Sequence, residues 1–122
     1  MPIRIVLADD SPFWRQQLGA ILEKEPGWTV FQATNGADAV EKSIWTHPDA
    51  IILDVCMPIL DGLSAARQLR RASPKVPVLM VTVDKSEFLE ITALEAGAVA
   101  VFSKMDCLEL HKFLKQMFAK AA

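Results

Sequence analysis

No apolar segment of this chain approaches the roughly 18 residues that a membrane span needs. The short strand-like run after Met1 also falls well below the apolar region of a signal peptide. The expectation is a soluble, cytoplasmic protein with no membrane partner. Cysteine is scarce as well: Cys56 and Cys107 are the only two. They form no CxxC or Cys/His spacing, which excludes a zinc site and a disulfide scaffold and leaves two free thiols in a reducing compartment. Excess charge of either sign is missing, with 13 basic residues against 15 acidic ones and a net charge of -2. The Arg70-Arg71 pair with its neighbours is the longest run of like charge, so direct nucleic-acid binding has no electrostatic support. Neither a GxGxxG nor a P-loop follows the first strand-like run, where Asp9-Asp10 would instead repel phosphates. That argues against a nucleotide or flavin binder.

What is present fits one domain, residues 1–122. The chain has 122 residues, of which 52% are apolar, enough for one sizeable core and too few for two. Short apolar, β-branched runs alternate with longer segments of helical period, the pattern of an α/β protein with a parallel sheet covered on both faces. The predicted strands are 3–8, 28–33, 50–55, 78–83 and 99–102, and the 28–33 strand is expected at an edge. Between and after them lie five helices. The first opens with Pro12 after a cap at Asp10 or Ser11 and carries Trp14, Leu18, Ile21 and Leu22 on one face. The second follows Asn35-Gly36, with Ala37, Val40, Ile44 and Trp45 as its apolar positions. The third begins after Asp61-Gly62, with Leu63, Ala66, Leu69 and Arg70 on its inner face. The fourth is capped by Ser86 and stopped by Gly97. The last carries Leu108, His111, Leu114, Gln116, Met117 and Phe118. His47, beside Pro48, is expected in a loop, and neither it nor His111 suggests a metal ligand or a base.

In an open parallel sheet, polar groups at the carboxyl ends of the strands converge on a ligand-binding crevice. Four strand ends carry them here: Asp9-Asp10 after the first, Asp54 at the third, Thr82 on the fourth and Lys104 after the fifth. Taken singly, each has an ordinary explanation as a cap or a solvated turn residue; their combination does not. Three carboxylates brought together raise one another's pKa unless a cation sits among them. An all-oxygen set with room for water suits Mg²⁺, tolerates Mn²⁺ and does not suit Zn²⁺. Asp54 ends the most buried strand and is a candidate nucleophile that forms an aspartyl phosphate. Lys104 would then flank the phosphoryl group, and the Thr82 hydroxyl would donate to one of its oxygens. A phosphatase of the aspartate-nucleophile type would want a second acid two residues after the nucleophile, and Cys56 stands there.

At this point the chain resembles the response regulator receiver domains of two-component systems, the CheY-like superfamily, and among them those with a helix-turn-helix output. The carriers are Ile5-Val6-Leu7-Ala8-Asp9-Asp10-Ser11-Pro12, Leu53-Asp54-Val55-Cys56-Met57-Pro58 with Asp61-Gly62, Val81-Thr82-Val83, Glu95-Ala96-Gly97-Ala98, and Lys104. These blocks cover nearly the whole chain in order. The resemblance implies a flavodoxin-like sheet of five strands in the order 2-1-3-4-5 with five flanking helices. It implies that Asp10 and Asp54 bind Mg²⁺ directly, Asp9 through water, and the Cys56 backbone carbonyl as a further ligand. It implies transfer of a phosphoryl group from a histidine kinase or phosphotransfer protein onto Asp54. Thr82 would follow the phosphate and shift the fourth helix, fifth strand and fifth helix, which an output domain or downstream protein reads. The domain would be a switch and not a turnover enzyme.

Three positions depart from the pattern. Val101 replaces a common aromatic, and Phe102 should face the other side of the strand, which argues against an aromatic rotamer switch. Met105 replaces a common proline after the lysine and leaves that loop freer. Val83 replaces a small residue and, with Cys56 and Asp84 flanking the site, predicts slow loss of the phosphate. Phe13, off the stripe of its helix, is a candidate docking residue beside the site. The alternative to a phospho-switch is a degenerate receiver kept only for protein contacts. Whether the chain is a whole regulator or a fragment without its output domain stays open at this stage.

Overall fold

The computed structural model describes residues 2–121. Five strands and five helices alternate along the chain: β1 (Ile3–Ala8), α1 (Pro12–Glu23), β2 (Trp28–Ala33), α2 (Gly36–Thr46), β3 (Ala50–Asp54), α3 (Gly62–Ala72), β4 (Val78–Thr82), α4 (Glu87–Glu95), β5 (Ala100–Ser103) and α5 (Cys107–Ala121). A single 3₁₀ turn, Lys104–Asp106, joins β5 to α5. All strand pairings are parallel, in the order β2-β1-β3-β4-β5. The expected fold is therefore the observed one, with β2 at an edge.

Alternation of side chains along each strand divides the core into two layers. Val6, Ile51, Leu53, Met80 and Val101 point to one face, where Ala39 of α2, Ala66 and Leu69 of α3 and Ala93 of α4 cover them. Ile5, Leu7, Ile52, Leu79 and Val81 point to the other, under Leu18 and Leu22 of α1 and Leu110 and Leu114 of α5. Every residue of β3 and of β4 is buried, as two central strands with helices on both faces must be. Val101 and Phe102 fall in opposite layers, Phe102 against Phe113 of α5.

Four helices start on a side-chain cap. Ser11 Oγ accepts from the Trp14 N–H, which decides between Asp10 and Ser11, and Asn35, Asp61 and Ser86 do the same for α2, α3 and α4. Each such cap is worth about 1 kcal/mol. Gly97 follows α4 at φ +112°, where its missing side chain also makes room for Arg70.

Several boundaries and faces differ from the sequence expectations. β4 stops at Thr82 and leaves Val83 exposed, and β5 starts one residue later than Val99. α2 buries Gly36, Ala39 and Ser43, while Ala37, Ile44 and Trp45 are exposed and Val40 lies between. The reason is close packing: a Cβ on Gly36 would lie 2.0 Å from the Leu60 carbonyl oxygen. Only small residues fit that approach, and Ser43 satisfies its hydroxyl on Ala39 O at 2.7 Å. In α3 Arg70 lies outside, and Ala65 joins Ala66 and Leu69 within. In α5 Leu110 is buried, whereas Leu108 and Gln116 are exposed.

Candidate functional site

The strand register delivers the polar residues to one place. Ala8 pairs with Leu53, so Asp9 lies level with Asp54; Asp54 pairs with Val81, and Thr82 with Ser103, so Lys104 leaves β5 just beyond Thr82. Ligand oxygens of Asp9, Asp10 and Asp54 all lie within 4.8 Å of one another. Asp9, Asp54 and Lys104 are buried, and Asp10 is exposed to solvent.

Lys104 bridges the two buried acids. Its Nζ lies 2.7 Å from Asp9 Oδ2 and 3.3 Å from Asp54 Oδ2. Asp9 is fixed further by the Ser11 N–H, which donates to its Oδ1 at 2.9 Å, and by Arg15, whose Nη1 donates to the Asp9 backbone oxygen at 2.7 Å. Burial, and then the charge of Asp9, push the Asp54 carboxyl up from 3.8 to about 6, against the opposing pull of Lys104 and of the Cys56 backbone N–H. Thr82 is buried next to this group, and its Oγ1 accepts from the Asp84 N–H at 3.3 Å. Cys56 turns its side chain to solvent while its N–H faces Asp54.

The loop after β3 closes under the site. The Gly62 N–H donates to Val55 O at 2.9 Å, and a Cβ on Gly62 would lie 2.1 Å from the Asp54 carbonyl oxygen. Within the same loop Ile59 has φ +70°, an arrangement that costs a β-branched residue about 1–2 kcal/mol. The residue is 83% exposed, so little packing offsets that cost. Val83 and Met105, which directly follow Thr82 and Lys104 in the chain, and Phe13, in the first turn of α1, are all exposed.

The site therefore assembles every residue that the sequence singled out: Asp9, Asp10, Asp54, Thr82, Lys104 and the backbone of Cys56. Two of the three carboxylates share one ammonium and the third lies beside them, an all-oxygen set with surplus negative charge of the kind a hard divalent cation satisfies. The cluster could hold such an ion, and its donors do not suit a softer one. The roles of Arg15, Trp14 and Gly62 at the site were not read from the sequence. Arg15 binds a backbone carbonyl and Trp14 contacts a lysine 90 positions away in sequence, so neither leaves a periodic trace; Asp61-Gly62 was legible as a turn and as part of the receiver motif, but not as a close approach to the Asp54 carbonyl.

The comparisons with known proteins agree with this geometry. Residues 5–115 match the family described as the response regulator receiver domain. A protein-glutamate methylesterase/protein-glutamine glutaminase of Methanospirillum hungatei is 43% identical over 106 residues, covering 84% of this chain and 30% of that protein. The response regulator MprA of a Mycobacterium species is 38% identical over 109 residues, covering 89% of this chain and 47% of the relative. Among solved structures, a LuxR-family two-component response regulator from Aurantimonas superposes with a TM-score of 0.90 at 28% identity, covering 98% of this chain and 87% of the other. The chain spans about a third of the length of the methylesterases that it matches. No helix among the described residues is long and apolar enough to cross a membrane.

Proposed function

The chain belongs to the response regulator receiver family of two-component systems, and on that premise we propose that it is switched by a phosphoryl group carried on Asp54. The observation that carries the reading is the sharing of one buried lysine by two buried carboxylates at adjacent strand ends, with a third carboxylate within 4.8 Å. A phosphohistidine of a histidine kinase or of a phosphotransfer protein is the donor. As an Asp54 carboxylate oxygen bonds to phosphorus, the donor's P–N bond breaks and its electron pair returns to the imidazole nitrogen. The charge on the phosphoryl oxygens is met by the Lys104 ammonium, already placed, and by the Thr82 hydroxyl once it turns from Asp84.

Mg²⁺, with Mn²⁺ as a substitute, suits the oxygen set of Asp9, Asp10, Asp54 and the Cys56 carbonyl, and its chemistry there is neutralisation of charge on the acceptor and the phosphoryl oxygens. Asp54 is the acceptor because it alone of the three acids ends a strand buried along its whole length. Movement of Thr82 toward the phosphate displaces the loop that leads into α4, and α4, β5 and α5 form the output face. Phe88, Ile91 and Leu108 are exposed there. Val101, buried against the layer under α2, α3 and α4, leaves no aromatic rotamer to carry the signal, so Thr82 and its loop are the carriers.

We read residues 1–122 as one receiver domain, placed in the cytoplasm where kinase and output meet. It accepts and loses its own phosphate and turns over no other substrate. Its reader is an output domain or a separate downstream protein; that this chain spans about a third of the methylesterases it matches supports the first. The test is intact-mass measurement after incubation with acetyl phosphate, with and without Mg²⁺. A gain of one phosphoryl group by the wild type with Mg²⁺, and none by Asp54→Asn, is the expected result. No gain under any metal or donor overturns the reading and leaves a receiver fold that works by protein contacts alone.

A further inference from the structure

Lys104 has an uncharged neighbour as well as two charged ones. Its Nζ lies over the indole of Trp14, 5.8 Å from the ring centroid, within the range at which an ammonium is attracted by the negative face of an aromatic ring. Trp14 is held firmly in the first turn of α1. Its own N–H is the one that Ser11 caps, and Phe13 packs against it edge-on at 5.1 Å. Between Trp14 and Lys104 and the residues Leu18, Cys107 and Leu110 lies a cavity of about 10 Å³, room for about one water molecule. Lys104 thus has no bulk hydration on that side. Its backbone is held by the Cys107 thiol, which donates to the Lys104 carbonyl at 3.0 Å.

We propose that Trp14 is a positioning residue for phosphoryl transfer, holding the Lys104 ammonium beside Asp54 through a cation–π contact that survives when the lysine's carboxylate partners are engaged elsewhere. The proposal rests on the phosphoacceptor reading of Asp54. Both ion partners of Lys104 belong to the carboxylate set that would hold a metal. A bound divalent ion shares their charge, and formation of the acyl phosphate removes the carboxylate charge of Asp54, so both ion pairs weaken during the reaction itself. The indole face is not a metal ligand and does not change charge, so its hold on Lys104 is constant throughout. Met105, 76% exposed beside the lysine, restrains the turn no further.

The test has two arms on the full chain. In the first, the rate of phosphorylation by acetyl phosphate is followed by intact mass. The proteins are wild type, Trp14→Phe, Trp14→Leu, and a series with tryptophan carrying one to four ring fluorines inserted at position 14. Fluorination drains the ring face while keeping the shape, so the logarithm of the rate should fall stepwise along the series. Trp14→Leu should be slower by about fivefold, with Trp14→Phe between it and wild type. Trp45→Leu, on the exposed part of α2, should match wild type. A flat fluorine series with Trp14→Leu within twofold of wild type overturns the proposal.

In the second arm, the Lys104 side-chain proton shifts are read by NMR with and without Mg²⁺. An upfield ring-current shift that persists with Mg²⁺ and vanishes in Trp14→Leu supports the contact independently of any phosphorylation. Loss of that shift on adding Mg²⁺ to the wild type overturns it. Failure of the wild type to take phosphate while the shift persists is the failure of the Asp54 reading and leaves the Trp14 contact standing.

Discussion

Replacing Asp54 with asparagine should make the metal-free protein more stable, and by an amount that depends on pH. Burial and the neighbouring charge of Asp9 raise the Asp54 carboxyl from 3.8 to about 6. Below pH 3.8 the group is protonated in both the folded and the unfolded chain, and it has no effect on their balance. As pH rises from about 4 toward 6 the unfolded chain releases this proton while the folded one keeps it, so stability falls with pH and levels off above 6. Each pKa unit corresponds to about 1.4 kcal/mol, so ionised Asp54 costs the fold about 3 kcal/mol at pH 7.5 and about 1 kcal/mol at pH 4.5. Asparagine has the shape of the neutral acid but is a poorer acceptor for Lys104, which reduces the expected gain at pH 7.5 to about 2 kcal/mol. For a chain of this length that is a rise in Tm of about 8 °C. The assay is thermal unfolding in EDTA at pH 7.5 and 4.5. Adding Mg²⁺ at pH 7.5 should then raise the Tm of the wild type and narrow the gap, because the ion binds the ionised form in the folded state alone. A lower Tm for Asp54→Asn in EDTA at pH 7.5, or the same difference at both pH values, would refute the reasoning.

Other substitutions test other parts of the site. Gly62→Ala puts a Cβ 2.1 Å from the Asp54 carbonyl oxygen and should lower stability by about 3 kcal/mol in urea unfolding; a loss under 1 kcal/mol would show that the loop gives way. Ile59→Gly removes a side chain held at φ +70° with little packing. It should gain about 0.5–1 kcal/mol after the larger chain entropy of glycine is counted, and a destabilised variant would mean that the exposed isoleucine has a contact of its own. Val83→Ala widens the approach to Asp54 and should speed loss of the phosphate by about three- to tenfold, measured by the decay of the intact-mass adduct; an unchanged lifetime removes Val83 from the gate.

The parallel fold was legible because β3 and β4 are continuous apolar runs flanked by helical periods, and such runs have few other uses. The site was legible for a related reason: Asp9, Asp10, Asp54, Thr82 and Lys104 each stand at a strand's carboxyl end, and a parallel sheet brings those ends together. The inner face of α2, and the first turn of that of α5, were not legible. In α2 the buried positions are the small ones, Gly36, Ala39 and Ser43, so hydrophobicity pointed to Ile44 and Trp45 on the wrong side. In α5 Leu114, Met117 and Phe118 do reach the core, and the error is at the first turn. At 3.6 residues per turn Leu110, four residues before Leu114, falls on its face, whereas Leu108, six before, falls roughly 120° away and is exposed. Periodicity reports a face only where the helix phase is known and the neighbour leaves room for large side chains. The roles of Arg15 and Trp14 depend on reach across the fold, which spacing does not encode.

The most direct measurement is to locate the phosphoryl group. The wild-type protein is phosphorylated with acetyl phosphate and Mg²⁺, the acyl phosphate is reduced with borohydride, which converts the modified aspartate to homoserine, and the peptides are read by mass spectrometry. The account predicts homoserine at position 54 alone. Homoserine at position 9 or 10, or none anywhere in a protein that has gained phosphate, would contradict it.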